Sequence, residues 1–130
     1  MRISRALLDE LIAHARADAP DECCGIVSAR DGEAVAVHRV PNAAASPLRY
    51  EMDGREQYRV MDEIESAGLE LAAIYHSHTR SAPYPSQTDV NLAAWWPDQL
   101  YVIVGLVPEV DVRAYRIVDG EITESPLEVV

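Results

Sequence analysis

The chain has 130 residues, 48% of them hydrophobic, and carries a formal net charge of −11. That length suits one domain around one core. The acidic balance excludes a phosphate-neutralising nucleic-acid face and an anionic membrane surface, and no apolar run is long enough to span a bilayer. The first eighteen residues, MRISRALLDELIAHARAD, are interrupted by Asp9, Glu10 and His14, so they do not read as a signal peptide and a cytoplasmic protein is expected. Ser4 instead caps a first helix whose Leu7, Leu8, Leu11, Ile12 and Ala15 keep helical spacing. Two strands follow, around Gly25 to Ala29 and Ala34 to Val40, joined through the hairpin signal Asp31-Gly32.

Residues 47 to 52 read as another short strand, and Asp53 with Glu56 as a capping box for a second helix ending near Gly68. Residues 69 to 75, LELAAIY, have strand character. SQTDVNLAAWW then opens a helix, and YVIVGLV, VRAYRIV and a final strand complete the order. Such an order predicts an α/β fold, a mixed sheet covered by helices, with no repeat and no internal linker.

Cys23 and Cys24 are adjacent and are the only cysteines, so they form no disulfide framework. On a strand they face opposite sides, one a buried small hydrophobe and the other near a site rim; Cys24 is the one that could sit beside a metal. Trp95 and Trp96 precede Pro97. They suit packing, one inward and one at the rim, and equally suit a patch for a partner or a second subunit, so a homo-oligomer stays open.

The densest chemistry lies in HSHTRSAPYPSQTD, which reads H-x-H-x(7)-S-x-x-D from His76 to Asp89. His76 and His78 stand two apart at a strand end, where side chains share a face, and Asp89 falls in the first turn of the next helix. Two imidazoles and a carboxylate are enough protein ligands for one zinc ion with a fourth position open, the arrangement of a hydrolytic site. Ser86 and Asp89 also form the capping-box pattern S-x-x-D, and a capping serine would be held beside such a metal. Upstream, Glu22 in PDECCGIV sits at a loop-to-strand junction: a solvated loop carboxylate, or the base that a metal and its water would need.

Glu22, His76, His78, Ser86 and Asp89 together resemble the signature of the JAMM (MPN+) metalloproteases, E... H-x-H-x(7)-S-x-x-D, with every position filled. Through PDECCGIV, SPLRYEMD, the motif loop and YRIVDGEITESP, the likeness reaches most of the chain and is similar to the bacterial hydrolases that release cysteine from a ubiquitin-like sulfur-carrier protein. The resemblance implies one JAMM/MPN domain over residues 1–130, with a curved mixed sheet in a cytidine-deaminase-like layered fold. It implies one Zn2+ held by His76, His78 and Asp89, with Glu22 as general acid/base and Ser86 stabilising the oxyanion. The implied partner is a ubiquitin-like sulfur carrier ending in diglycine.

Three functions follow from that likeness: cutting the amide between a carrier's terminal glycine and cysteine, removing a modifier from lysine as an isopeptidase, or serving as a non-catalytic scaffold. The complete ligand set with Glu22 disfavours the last. A zinc nucleobase deaminase is excluded, because its H-x-E and P-C-x-x-C ligands are absent. Arg80, two residues past the second histidine, is the candidate for holding the free carboxylate of a released cysteine.

Overall fold

The computed structural model describes residues 1–130. In chain order the elements are β1 (Arg2–Ile3), α1 (Arg5–Asp18), β2 (Cys24–Arg30), β3 (Glu33–Val40), α2 (Gly54–Ser66) and β4 (Glu70–His78). Then come α3 (Gln87–Leu92), a 3-10 turn (Ala93–Trp95), β5 (Leu100–Gly105), β6 (Asp111–Val118), β7 (Glu121–Glu124) and β8 (Glu128–Val129). All strands join one mixed sheet in the order β7-β6-β5-β4-β2-β3-β1-β8. The central pair β4 and β5 runs parallel, with α3 in the crossover, while β2 lies antiparallel to both β3 and β4. No helix is long and apolar enough to cross a membrane.

Strand alternation splits the core into two layers. Val27, Ala73, Tyr75, Val102 and Val104 meet Leu8, Leu11 and Ala15 of α1 on one face. Ile26, Ile74, Tyr101 and Ile103 meet Val60 and Ile64 of α2 on the other. Because the strand period is two, His76 and His78 follow Ile74 onto the α2 side, whereas Ser77 follows Tyr75 onto the α1 side. The expected α/β architecture, a mixed sheet flanked by helices, is the one observed.

Local signals explain most boundaries. The Ser4 Oγ accepts the Leu7 N–H at 3.2 Å and starts α1. Asp31 and Gly32 take φ of 52° and 79°, the two left-handed residues that a tight hairpin turn requires. At the end of α2, Gly68 has φ of 69°; its N–H reaches the Glu65 carbonyl and the Leu69 N–H reaches that of Ile64, a Schellman stop.

Five expectations change. Residues 47 to 52 form no strand; only an isolated bridge joins Asn42 to Met52, because the Asn42 side chain takes up the backbone groups of Glu51 and Arg49. Asp53 does cap α2 by accepting the Glu56 N–H at 3.0 Å, but the Glu56 carboxylate turns to Arg59 instead of closing the box. The helix in SQTDVNLAAWW stops at Leu92 and tightens into the 3-10 turn. The tail makes two strands, the second lying parallel to β1 at the far edge. Cys23 and Cys24 do face opposite layers, yet both are wholly buried, so neither is at a rim. Burial pushes both thiols up to about 12, which keeps them protonated. Trp95 is exposed and Trp96 packs inward against the second layer.

Gly25 sits where β2 crosses the Tyr75 ring. A Cβ there would collide with that ring and with the His38 carbonyl oxygen, both fixed parts of the sheet. Gly25→Ala should therefore cost about 1–3 kcal/mol or more through overpacking, lowering the melting temperature by roughly 3–15 °C. Gly54→Ala, at the open first position of α2 where a Cβ meets nothing within 4 Å, should leave it unchanged or raise it slightly. Thermal unfolding of the two variants side by side checks the contrast.

Candidate metal centre

His76 and His78 are the last same-face pair of β4, and both are buried. Their Nε2 atoms lie 3.2 Å apart, and each is 3.1 Å from Oδ2 of Asp89. Three electron-pair donors thus converge on one point, which neutral imidazoles and a carboxylate tolerate only around a shared proton or a cation. A regular tetrahedral zinc site with bonds of about 2.0–2.1 Å has ligand-to-ligand edges of about 3.3–3.4 Å, close to the triangle seen here. The donor set therefore fits zinc without rearrangement.

Each ligand is aimed from behind. The Ala82 carbonyl can only accept, so the His78 Nδ1 at 2.9 Å carries a proton and donates it, leaving Nε2 with its lone pair toward the triangle. Tyr50 stacks on the His76 ring, with centroids 4.5 Å apart and planes 24° from parallel. Asp89 is the third residue of α3. Its Oδ2, besides facing both imidazoles, accepts the Ser86 N–H at 2.9 Å, while the Asp89 N–H donates to Ser86 Oγ at 3.1 Å. The capping box read from S-x-x-D is therefore real, and the same oxygen serves the cap and the triangle.

Burial shapes the charges. It lowers the pKa of His76, favouring the neutral ring that a metal needs. It opposes ionisation of Asp89, yet the two imidazoles of His76 and His78 facing the carboxylate outweigh it and hold the carboxyl far below the usual carboxylate range. Burial likewise opposes the cationic form of His78, but the Asp89 hydrogen bond and the Ala82 carbonyl prevail and raise its pKa.

Glu22, just before β2, is only 4% exposed, and its Oε1 has no partner in the protein. Burial is the main cause that lifts its carboxyl to about 7, with the Asp89 charge adding and His78 opposing. A carboxyl poised there can exchange a proton near neutral pH. Ser86 is exposed at the start of α3, and its Oγ accepts for the cap, so its O–H stays free to donate. Glu22, His78, Ser86 and the exposed Arg80 line one cleft of about 390 Å³, with Pro47, Leu48 and Tyr84 as walls. All six residues singled out in the sequence thus come together.

Residues 4–118 match the family described as prokaryotic homologs of the JAB domain. The chain belongs to that family. Over 128 residues this JAB protein is 43% identical to the CysO-cysteine peptidase of Mycobacterium tuberculosis (strain ATCC 25618 / H37Rv), covering 95% of this chain and 87% of that one. Over 120 residues it is 36% identical to the probable TtuB-protein conjugate cleaving protease of Thermus thermophilus, covering 92% and 77%. Its fold matches the solution structure of protein DSY2949 from Desulfitobacterium hafniense with a TM-score of 0.87 at 27% identity, over 99% of this chain and 92% of that one. As a member of the JAB family with relatives named peptidase and protease, this protein is a hydrolase.

Residues outside the motif complete the site. Ser77 points to the other face, where its Oγ accepts the Cys23 N–H at 2.8 Å and its own N–H reaches the Cys23 carbonyl. It ties the histidine strand to the residue after Glu22. Strand period alone would have placed Ser77 opposite the histidines; no local signal marks Tyr50, which arrives from a loop. Ser77→Ala leaves a buried N–H unpaired and should cost about 1–3 kcal/mol. Urea unfolding should show a lower midpoint with the same slope in this JAB protein.

Proposed function

We propose that this protein is a zinc-dependent amide hydrolase that cuts between the C-terminal glycine of a ubiquitin-like sulfur carrier and cysteine, releasing cysteine. One observation carries the reading: the cleft that holds Glu22, His78 and Ser86 also holds Arg80. Its size suits a small leaving group. Similarity over 95% of the chain to a CysO-cysteine peptidase supports the same substrate class.

His76, His78 and Asp89 would hold the ion. When bound, zinc lowers the pKa of water in its open position to about 7 and polarises the scissile carbonyl. Glu22 takes a proton from the attacking water as its oxygen bonds to the carbonyl carbon. The Ser86 hydroxyl donates to the developing oxyanion. As the carbon–nitrogen bond breaks, Glu22 returns the proton to the leaving amine, giving a carrier carboxylate and free cysteine. No covalent enzyme intermediate is needed.

The second reading, an isopeptidase removing a modifier from lysine, has support in the similarity to a TtuB-protein conjugate cleaving protease. It shares all the chemistry and differs on the leaving side. A cysteine leaving group carries its α-carboxylate one carbon from the scissile nitrogen, within range of an arginine fork, whereas a lysine side chain brings no carboxylate there. Arg80 favours the first.

Incubation of the zinc-loaded enzyme with a carrier ending in Gly-Gly-Cys should remove the mass of one cysteine residue. An unchanged mass, alongside cleavage of a lysine-linked carrier, would establish the isopeptidase instead. Glu22→Gln should keep its zinc and lose most turnover, and Ser86→Ala should lose roughly 100-fold in rate; near-normal turnover in the first would place the base elsewhere. Wild type should prefer a free terminal cysteine over its amide, and Arg80→Ala should lose that preference. An unchanged ratio of kcat/KM values would leave Arg80 a surface role.

A further inference from the structure

The loop from 41 to 53 has no regular structure, yet one side chain organises it. Asn42 Nδ2 donates to the Glu22 carbonyl oxygen at 3.0 Å and to that of Arg49 at 3.1 Å. Its Oδ1 accepts the N–H groups of Ala44 at 3.0 Å and Glu51 at 2.9 Å. Two donors and two acceptor positions are all that a carboxamide has. No other side chain in the protein has its capacity spent on fastening two separate backbone segments to each other in this way.

The loop grips Glu22 from its other side as well. Ala45 adopts φ of 44° and turns the chain so that the Ser46 carbonyl accepts the Glu22 N–H at 2.9 Å. Both backbone groups of Glu22 therefore end on this one loop. The same loop supplies Pro47 and Leu48 to the cleft wall and Tyr50 to the back of the His76 ring. Glu22 itself has an unpartnered buried carboxyl oxygen, so its side chain has no hydrogen bond of that atom to hold it in place.

We propose that Asn42 is the positioning residue for Glu22, clamping the backbone of the base to the loop that walls the cleft, so that carboxyl and substrate amide keep one separation. The inference rests on Glu22 being the general base. A loop turn alone accounts for three of the Asn42 contacts, those with Ala44, Arg49 and Glu51; the donor contact to Glu22 is what the proposal adds. Asn42→Asp keeps both acceptors, which hold the turn at Ala44 and Glu51, and loses the donors to Glu22 and Arg49. Asn42→Ala removes all four contacts without adding charge.

The test uses the zinc-loaded full chain as wild type, Asn42→Asp, Asn42→Ala, Glu22→Gln and the double variant Asn42→Ala with Glu22→Gln. Single-turnover and steady-state rates on a carrier ending in Gly-Gly-Cys are read with zinc content and amide exchange at Glu22. Both Asn42 variants should keep one zinc, exchange the Glu22 amide faster, and lose roughly 10–100-fold in kcat with KM within about threefold, the pattern of a misplaced group and not of lost binding. In the double variant the Asn42 change should add less than about threefold, because positioning an absent base costs nothing. Wild-type kcat in Asn42→Asp, or an Asn42→Ala loss that multiplies in full onto Glu22→Gln, overturns this inference alone. Near-normal turnover in Glu22→Gln overturns the general-base reading and the inference with it. Should Asn42→Ala fail to fold, the rate and exchange data from Asn42→Asp decide.

Discussion

One carboxylate oxygen gathers the site. Oδ2 of Asp89 faces both imidazoles and accepts the backbone N–H that opens α3. A buried carboxylate with fewer partners would cost several kcal/mol or take up a proton. Here the surrounding groups hold it ionised, and the helix start, the strand end and the intervening loop are locked to one point. The serine that caps the helix is by the same bond set beside the cleft with a free hydroxyl proton. Cap and chemistry are one arrangement.

The sheet makes that convergence cheap. Parallel pairing of β4 with β5 places the histidine strand at the centre, with neighbours on both sides, and α3 is part of the crossover that parallel pairing demands. Alternation then separates labour across the sheet: His76 and His78 face α3, while Ser77 reaches back to Cys23 and anchors the segment carrying Glu22. Gly25 allows β2 to lie close against Tyr75 directly beneath. Stability and site geometry are therefore set by the same residues, and the layers behind the metal triangle are as constrained as the triangle.

Much of this was legible because it is local. The period of two in LELAAIYHSH, the S-x-x-D spacing and the Asp-Gly turn are written within a few residues of the structures they produce. The three donors His76, His78 and Asp89 span fourteen residues, so their meeting needed only one strand end and one helix start. What escaped the sequence depends on distant partners. Residues 47 to 52 have the β-branched-poor but apolar look of a short strand, and no local rule says that a single asparagine five or more residues earlier will take their hydrogen bonds. Glu56 has the spacing of a capping-box partner, but Arg59 one turn on competes for its carboxylate and prevails. Cys24 looked like a rim residue because strand ends often are; here β3 covers it, with Val40 accepting its thiol.

The proposed chemistry stands or falls with His76, His78 and Asp89 being placed to receive a zinc ion. A crystal structure of the zinc-loaded protein, with anomalous maps on both sides of the zinc edge, tests it most directly. A single zinc peak bonded to His76 Nε2, His78 Nε2 and Asp89 Oδ2 at about 2.0–2.2 Å is expected, with Tyr50 still stacked and the Ser86 cap intact. A zinc peak held by other residues, or none at this triangle at full loading, would contradict it.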